Sequence, residues 1–357
     1  GAAVADSDLS ACTGKTDPGG GTARLVAATD IADATCDYGS WLGRGWCRLE
    51  LFALMLARYN WLPAIIVKGG EAAPTMIAAQ AVLSNLPGHG NFTCCARNHN
   101  ANGVVIPCDK IKVGSVIQTM LTKRIQYHLG REEMHEFRLW KAFQPMFLSG
   151  LPQAAELKQP QSAADFLREY KFETATDLES SGSGFTPLSL ACVSGNVIVA
   201  RELIQEHGAN MHAMTRIADT IFGIPQGGTA LHAAAVYSAQ NVKEMVDVLI
   251  ASGSDPNDNR NPGGFTAFMG AAFNSNAEGV RALLSQTAGG KVDLELGVSV
   301  NNATALGVAA YGSTPEIVGI LLEAGANRLH CTDHGGTKLT DACQNPRATP
   351  AMLAALR

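Results

Sequence analysis

GGTALHAAAV, Gly227–Val236, reads as a helix start with its parts in order. Gly228 turns the chain, and the hydroxyl of Thr229 can accept from the free N–H groups of a first helical turn. The alanines that follow are small enough to let a neighbouring helix come close. Similar text recurs as GFTPLSLACVSGN (184–196), GFTAFMGAAFNSN (264–276), NATALGVAAYGST (302–314) and GGTKLTDACQNPR (335–347). The aligned threonines, Thr186, Thr229, Thr266, Thr304 and Thr337, stand 33 to 43 residues apart. Self-similarity at such a period marks stacked helix pairs, in which no unit can bury its apolar face alone.

Larger apolar residues fill the second helix of each unit: Val199 and Leu203, Met245 and Leu249, Val280 and Leu283, Ile317 and Leu321. Gly208, Gly253 and Gly325 follow these helices, where a left-handed residue ends a helix without steric cost. With its T-x-L core the pattern resembles the ankyrin family. The resemblance implies an all-α solenoid over 163–357, a capping helix at 163–172 followed by about five repeats. It also implies binding of a protein partner through the loop fingers and the concave helix face. Two departures stand out. TRIADTIFGIPQG (215–227) adds about ten residues between the first two repeats and predicts a projecting finger, and TAGGKVDLEL (287–296) replaces the usual turn. Arg216, Ile221 and Phe222 on the finger, with His232 and Asn257, are the candidate partner contacts. His232 also has a structural reading, as a hydrogen bond tying neighbouring loops.

The chain of 357 residues has a net charge of −5 and an apolar fraction of 46%, a globular composition long enough for two domains. Residues 161–357 hold 12 basic against 19 acidic side chains, while residues 1–160 hold 15 against 13. Neither half has the basic excess that phosphate-dominated binding needs, which argues against a nucleic-acid partner. Nine scattered cysteines form no disulfide framework and suit a reducing, cytoplasmic setting. Leu49–Val67 is broken by Glu50, Arg58, Asn60 and Pro63, so it is no membrane span. TGKT (13–16) lacks the glycine a phosphate loop needs. The chain begins with Gly1, which suggests a missing N-terminus.

Residues 1–22 read as a flexible segment, 23–150 as an α/β domain with a helical C-terminal part, and 151–162 as a linker. ARLVAATDI (23–31), a helix over 43–59 and LPAIIV (62–67) give strand, helix, strand, the order of a partial parallel sheet. Residues 73–86 read as a further helix or a surface segment, and Arg131–Phe147 as a helix. S-W-L-G-R-G-W-C-R-L-E-L (40–51) resembles the W-C-x-x-E-L segment of Toll/interleukin-receptor domains. In enzymatic members of that family the glutamate cleaves the nicotinamide–ribose bond of NAD. The resemblance therefore makes Glu50, with Trp46 beside it, the candidate catalytic pair and NAD the candidate substrate. The structural alternative is an ion pair between Glu50 and Arg44 or Arg48.

Cys94, Cys95, His99 and Cys108 place three thiols and an imidazole within one loop, the ligand types of a structural zinc, with His89 and His135 as substitutes. The spacing is unusual, because adjacent cysteines rarely reach one metal. Taken together, the sequence predicts a protein-binding scaffold joined to a divergent or truncated signalling domain, with an NAD-cleaving hydrolase carrying regulatory or targeting repeats as the alternative.

Overall fold

Small residues facing small residues let the repeat helices stack. A computed structural model of the chain describes residues 41–56, 64–66, 75–77, 79–101, 103–176, 185–238, 240–286, 291–345 and 348–357. The expected strand at 23–31 and the segment 1–22 lie outside the described residues. In the N-terminal half the helices are α1 (Gly45–Met55), α2 (Thr93–Ala96), α3 (Asp109–Gly130), α4 (Met134–Ala142) and α5 (Gln144–Leu148), followed by α6 (Ala163–Tyr170). Five helix pairs succeed them. They are α7 (Pro187–Ser194) with α8 (Val197–Gln205), α9 (Ala230–His232) with α10 (Val242–Ala251), and α11 (Ala267–Phe273) with α12 (Ala277–Leu284). The last two are α13 (Ala305–Gly312) with α14 (Pro315–Glu323), and α15 (Lys338–Gln344) with α16 (Pro350–Ala355).

The first helices pack on one another through Ala191, Ala234, Ala235, Ala271, Ala272, Ala309 and Ala310, all fully buried. Gly279 shows how close the units come: a Cβ there would overlap the carbonyl oxygen of Ala235 in the preceding repeat. Val199, Leu203, Met245, Leu249, Val280, Leu283, Ile317 and Leu321 are buried beneath the second helices. Each contributes on the order of 1.5–3 kcal/mol. Asparagines repeat a second device. The side-chain amides of Asn196, Asn241, Asn276 and Asn345 donate to Pro160, Gly195, Val236 and Ala310, each a carbonyl of the preceding unit. Thr186, Thr266 and Thr337 accept from the third amide of their helices as expected. Thr304 does not, and its hydroxyl is buried without a partner among the described residues.

After His232 the second repeat widens into a π-helical turn, Ala233–Tyr237. Tyr237 ends that turn buried, and its hydroxyl donates to Gly223 O on the finger at 2.9 Å. Gly195 closes α7 at φ +69, a conformation that favours glycine.

The N-terminal half is not the expected α/β unit. Its strand β1 (Ala64–Ile66) pairs antiparallel with β2 (Thr75–Ile77), inside the stretch read as a helix or a surface segment, and β3 (Asn100–Ala101) with β4 (Val104–Val105) forms a second antiparallel ladder. Among the described residues no strand pair is parallel, so the partial parallel sheet is corrected to a mainly helical unit. α3 forms as its spacing predicts, with Val113, Ile117 and Leu121 fully buried on one face. The helix expected over Arg131–Phe147 breaks at Phe143, because Pro145 has no N–H and starts α5 instead. α1 is buried on one side only, through Leu51, Phe52 and Met55, while Trp46 is 43% exposed.

Arg138 on α4 fastens this unit to α6. Its guanidinium is buried, donates to Tyr170 O at 2.8 Å and to Lys171 O, and stacks over Phe172. These carbonyls end α6, where a cation meets the negative end of the helix. No helix among the described residues is long and apolar enough to cross a membrane.

Candidate functional site

The finger between the first two repeats does not project. Its base is closed by Thr215, which exchanges backbone bonds with Gly227 and Gly228, and its tip is pinched by reciprocal bonds between Asp219 and Ile224. Asp219 accepts from the amides of Ile221 and Phe222 and pairs with His135 of α4 at 3.0 Å. Phe222 is 1% exposed. It stacks on Phe143 at 4.3 Å between ring centroids and meets Trp140 edge-on at 5.0 Å, with Phe147 at 6.4 Å. The finger therefore latches the repeats to the N-terminal unit, and Phe222 is corrected from partner contact to core residue. Ile221 is half-buried, and Arg216 is exposed.

A groove runs beside the latch across the first helices. Three hollows of about 220, 290 and 380 Å³ share walls along it, and Phe273 lines all three. Phe185, Val193, Ile224, Val236 and Phe265 line the first hollow, and Val308 and Tyr311 the last. Phe273 and Tyr311 are 45% and 53% exposed. Sequence reasoning missed these residues, although Phe273 closes the alanine-rich helix of the GFTAFMGAAFNSN motif with a second ring after Phe268. The aromatic spacing of Phe137, Trp140, Phe143 and Phe147 was an equally plain and unread signal for the latch.

His232 follows its structural reading. Its Nε2 lies 2.9 Å from the Phe265 carbonyl of the next repeat, while Nδ1 faces the amide and hydroxyl of Thr229. The carbonyl requires a donor, so Nε2 carries the proton and Nδ1 accepts. Burial lowers the pKa of His232, outweighing the Phe265 bond. Burial likewise lowers His89 and His128. The neutral forms are thus favoured in the fold, so stability is intact above the ordinary value near 6.5 and falls as pH drops through and below it. Equilibrium denaturation at pH 7.5 and about pH 5 is expected to show this loss. His232→Ala is expected to remove about 1–3 kcal/mol at pH 7 by deleting its bonds to the Thr229 amide and to the Phe265 carbonyl, which keeps only the Asn261 amide, and to reduce the acid sensitivity. An unchanged denaturation midpoint would contradict it.

Asn257 bridges two loops, its side chain donating to Lys291 O at 3.0 Å and accepting from Asp293 N at 2.8 Å. Glu50 is exposed on α1, and Trp46 donates to Asp109 at 3.4 Å. The alternative ion pair of Glu50 with Arg44 or Arg48 is not formed among the described residues, and Arg48 has other partners. That guanidinium donates instead to the carbonyls of Leu42 and Leu86. Cys94, Cys95, His99 and Cys108 do converge, whereas His89 bonds Ser149 and His135 bonds Asp219. Burial, then the neighbouring Cys108 and Cys94 thiols, push the Cys95 thiol up to about 11, unsuited to a free nucleophile.

The family description "Ankyrin repeats (3 copies)" matches residues 151–260, 215–296 and 237–333, together just over half of the chain. The chain belongs to the ankyrin-repeat family. No curated protein matches this ankyrin-repeat chain. One similar solved structure is the predatory endopeptidase Bd0816 from Bdellovibrio bacteriovorus in complex with immunity protein Bd3460. The match has 22% identity and a TM-score of 0.38, covering 54% of this chain and 89% of that one. Neither the fold nor these comparisons support the Toll/interleukin-receptor resemblance or NAD cleavage.

Proposed function

We propose that this ankyrin-repeat protein is an interaction module that takes an apolar segment of a protein partner into the groove at Phe273. The observation that carries the reading is the half-exposed Phe273 ring at the junction of three adjoining hollows. Large rings in concave surroundings are typical anchors of protein interfaces. The repeat half is acidic, so basic residues flanking the apolar anchor would complement it. The N-terminal helical unit then serves as a fixed base for the array. A cytoplasmic setting is supported by free thiols at Cys192, Cys331 and Cys343.

Selection of a random peptide library on the full chain tests this. Peptides with an aromatic or aliphatic anchor and basic flanks are expected, and Phe273→Asp should weaken them by about 2 kcal/mol or more. Ile217→Asp, on the exposed part of the finger, should leave them unchanged. Peptides that bind Phe273→Asp as tightly as the parent would remove the groove from consideration.

A further inference from the structure

The loop ahead of α3 is shaped around sulfur. α2 carries Cys94 and Cys95 on one short turn, and the chain then passes through Asn98 and His99 at φ +48 and +55. Two successive left-handed residues that are not glycine cost about 1–3 kcal/mol each and persist where the surroundings hold them. Here the turn, closed by His99 N–H to Cys94 O at 2.8 Å, brings the imidazole back over Cys95. The β3–β4 hairpin then returns Cys108 to the same point, with Ile106 N–H donating to His99 O at 2.9 Å.

The distances from Cys95 are those of a tetrahedral metal shell. Cys95 Sγ lies 3.7 Å from Cys108 Sγ, 3.9 Å from Cys94 Sγ and 3.5 Å from His99 Nε2. Four ligands at about 2.3 Å for sulfur and 2.0–2.1 Å for nitrogen place their atoms about 3.8 Å (S···S) and 3.6 Å (S···N) apart. All four ligand atoms lie within 4.8 Å of one another, so a central ion would draw in the wider pairs by about 1 Å. The sulfurs stand well beyond the ~2.05 Å of a disulfide.

Helix α3 adds polar donors to the site. Cys108 is the N-cap of the 22-residue α3, at the positive end of a long helix. The first amide of that helix, Asp109 N–H, points at Cys94 Sγ at 3.2 Å, the outer-shell bond that orients a ligating sulfur. Three thiolates and a neutral imidazole, with no carboxylate among them, select a borderline-soft cation over magnesium or calcium.

We propose that Cys94, Cys95, His99 and Cys108 hold a structural zinc ion in a closed Cys₃His tetrahedron. The ion pins the loop to the start of α3, whose buried face packs on α1 and α5. Four protein ligands leave no open position, so the site stabilises the fold and does no chemistry on a substrate.

Metal analysis of the full chain is expected to give one zinc per molecule. After chelation under reducing conditions, one equivalent of cobalt(II) should produce thiolate charge-transfer absorption and the intense visible bands of a tetrahedral site. Cys95→Ser should abolish both, Cys331→Ser should abolish neither, and His99→Cys should keep one metal while strengthening the charge-transfer band. Should Cys95→Ser fail to fold, modification of the native protein's thiols is expected to release one equivalent of zinc. Zinc-free protein that takes up no cobalt, a six-coordinate cobalt spectrum, or full zinc content in folded Cys95→Ser would each overturn the assignment. So would a Cys95–Cys108 disulfide in protein handled without air.

Discussion

Phe222→Ala is expected to lower the stability of the chain by about 3–5 kcal/mol, a large fraction of the 5–15 kcal/mol typical of a folded protein. The ring is enclosed by Phe143, Trp140 and Phe147, and its removal leaves a cavity that rigid helices on two sides cannot collapse to fill. Urea denaturation followed by tryptophan fluorescence measures the effect, with Trp140 at the edge of the lost contact. Ile217→Ala on the same finger is the control. Ile217 is 50% exposed and should change stability by no more than about 0.5 kcal/mol. A Phe222→Ala protein as stable as the parent would return this residue to the role of partner contact.

Lys338→Met is expected to act in the opposite direction, stabilising the chain by about 1–3 kcal/mol at neutral pH. Lysine stands here one position after the repeat threonine, where the other repeats have Pro187, Ala230, Ala267 and Ala305. Its side chain is 0% exposed, and Nζ meets no partner among the described residues. Burial lowers its pKa, against the opposing pull of Asp341, Glu295 and Cys331. The unfolded chain therefore holds the proton more tightly, and the parent is penalised as pH falls from 10.5 through the folded value. The gain from methionine is greatest at neutral pH and shrinks as pH climbs towards 10.5. Thermal unfolding of both proteins at pH 7 and about pH 10 resolves this dependence. A lower melting temperature for the variant would mean that Lys338 finds a partner in solution.

What could be read from sequence follows the range of the interactions. The helix pairs were legible because capping threonines and alternating small and large residues act within one repeat. Lys338 was visible as an outlier in that register. LPAIIV was legible as an apolar strand, but its partner was not, since an apolar run looks the same in a parallel core and in a short hairpin. Phe222 was misread for a similar reason. A long insertion looks exposed when judged locally, and its burial depends on rings of α4 and α5 far upstream. The four zinc-type ligands were legible by composition alone. Their convergence hangs on the left-handed pair Asn98–His99, which no spacing rule anticipates.

The clamp of Arg138 and the ring cluster at Phe222 give the array a direction. Stability in a stack of repeats passes from neighbour to neighbour, so units with a single neighbour open first. The first two repeats are braced from the side by α4 and α5 as well as by the next unit. Opening of the array is therefore opposed most strongly at the latched repeats. The backbone amides of α7 are then expected to exchange with solvent more slowly than those of repeats away from the latch, and a molecule caught part-way keeps its latched end folded.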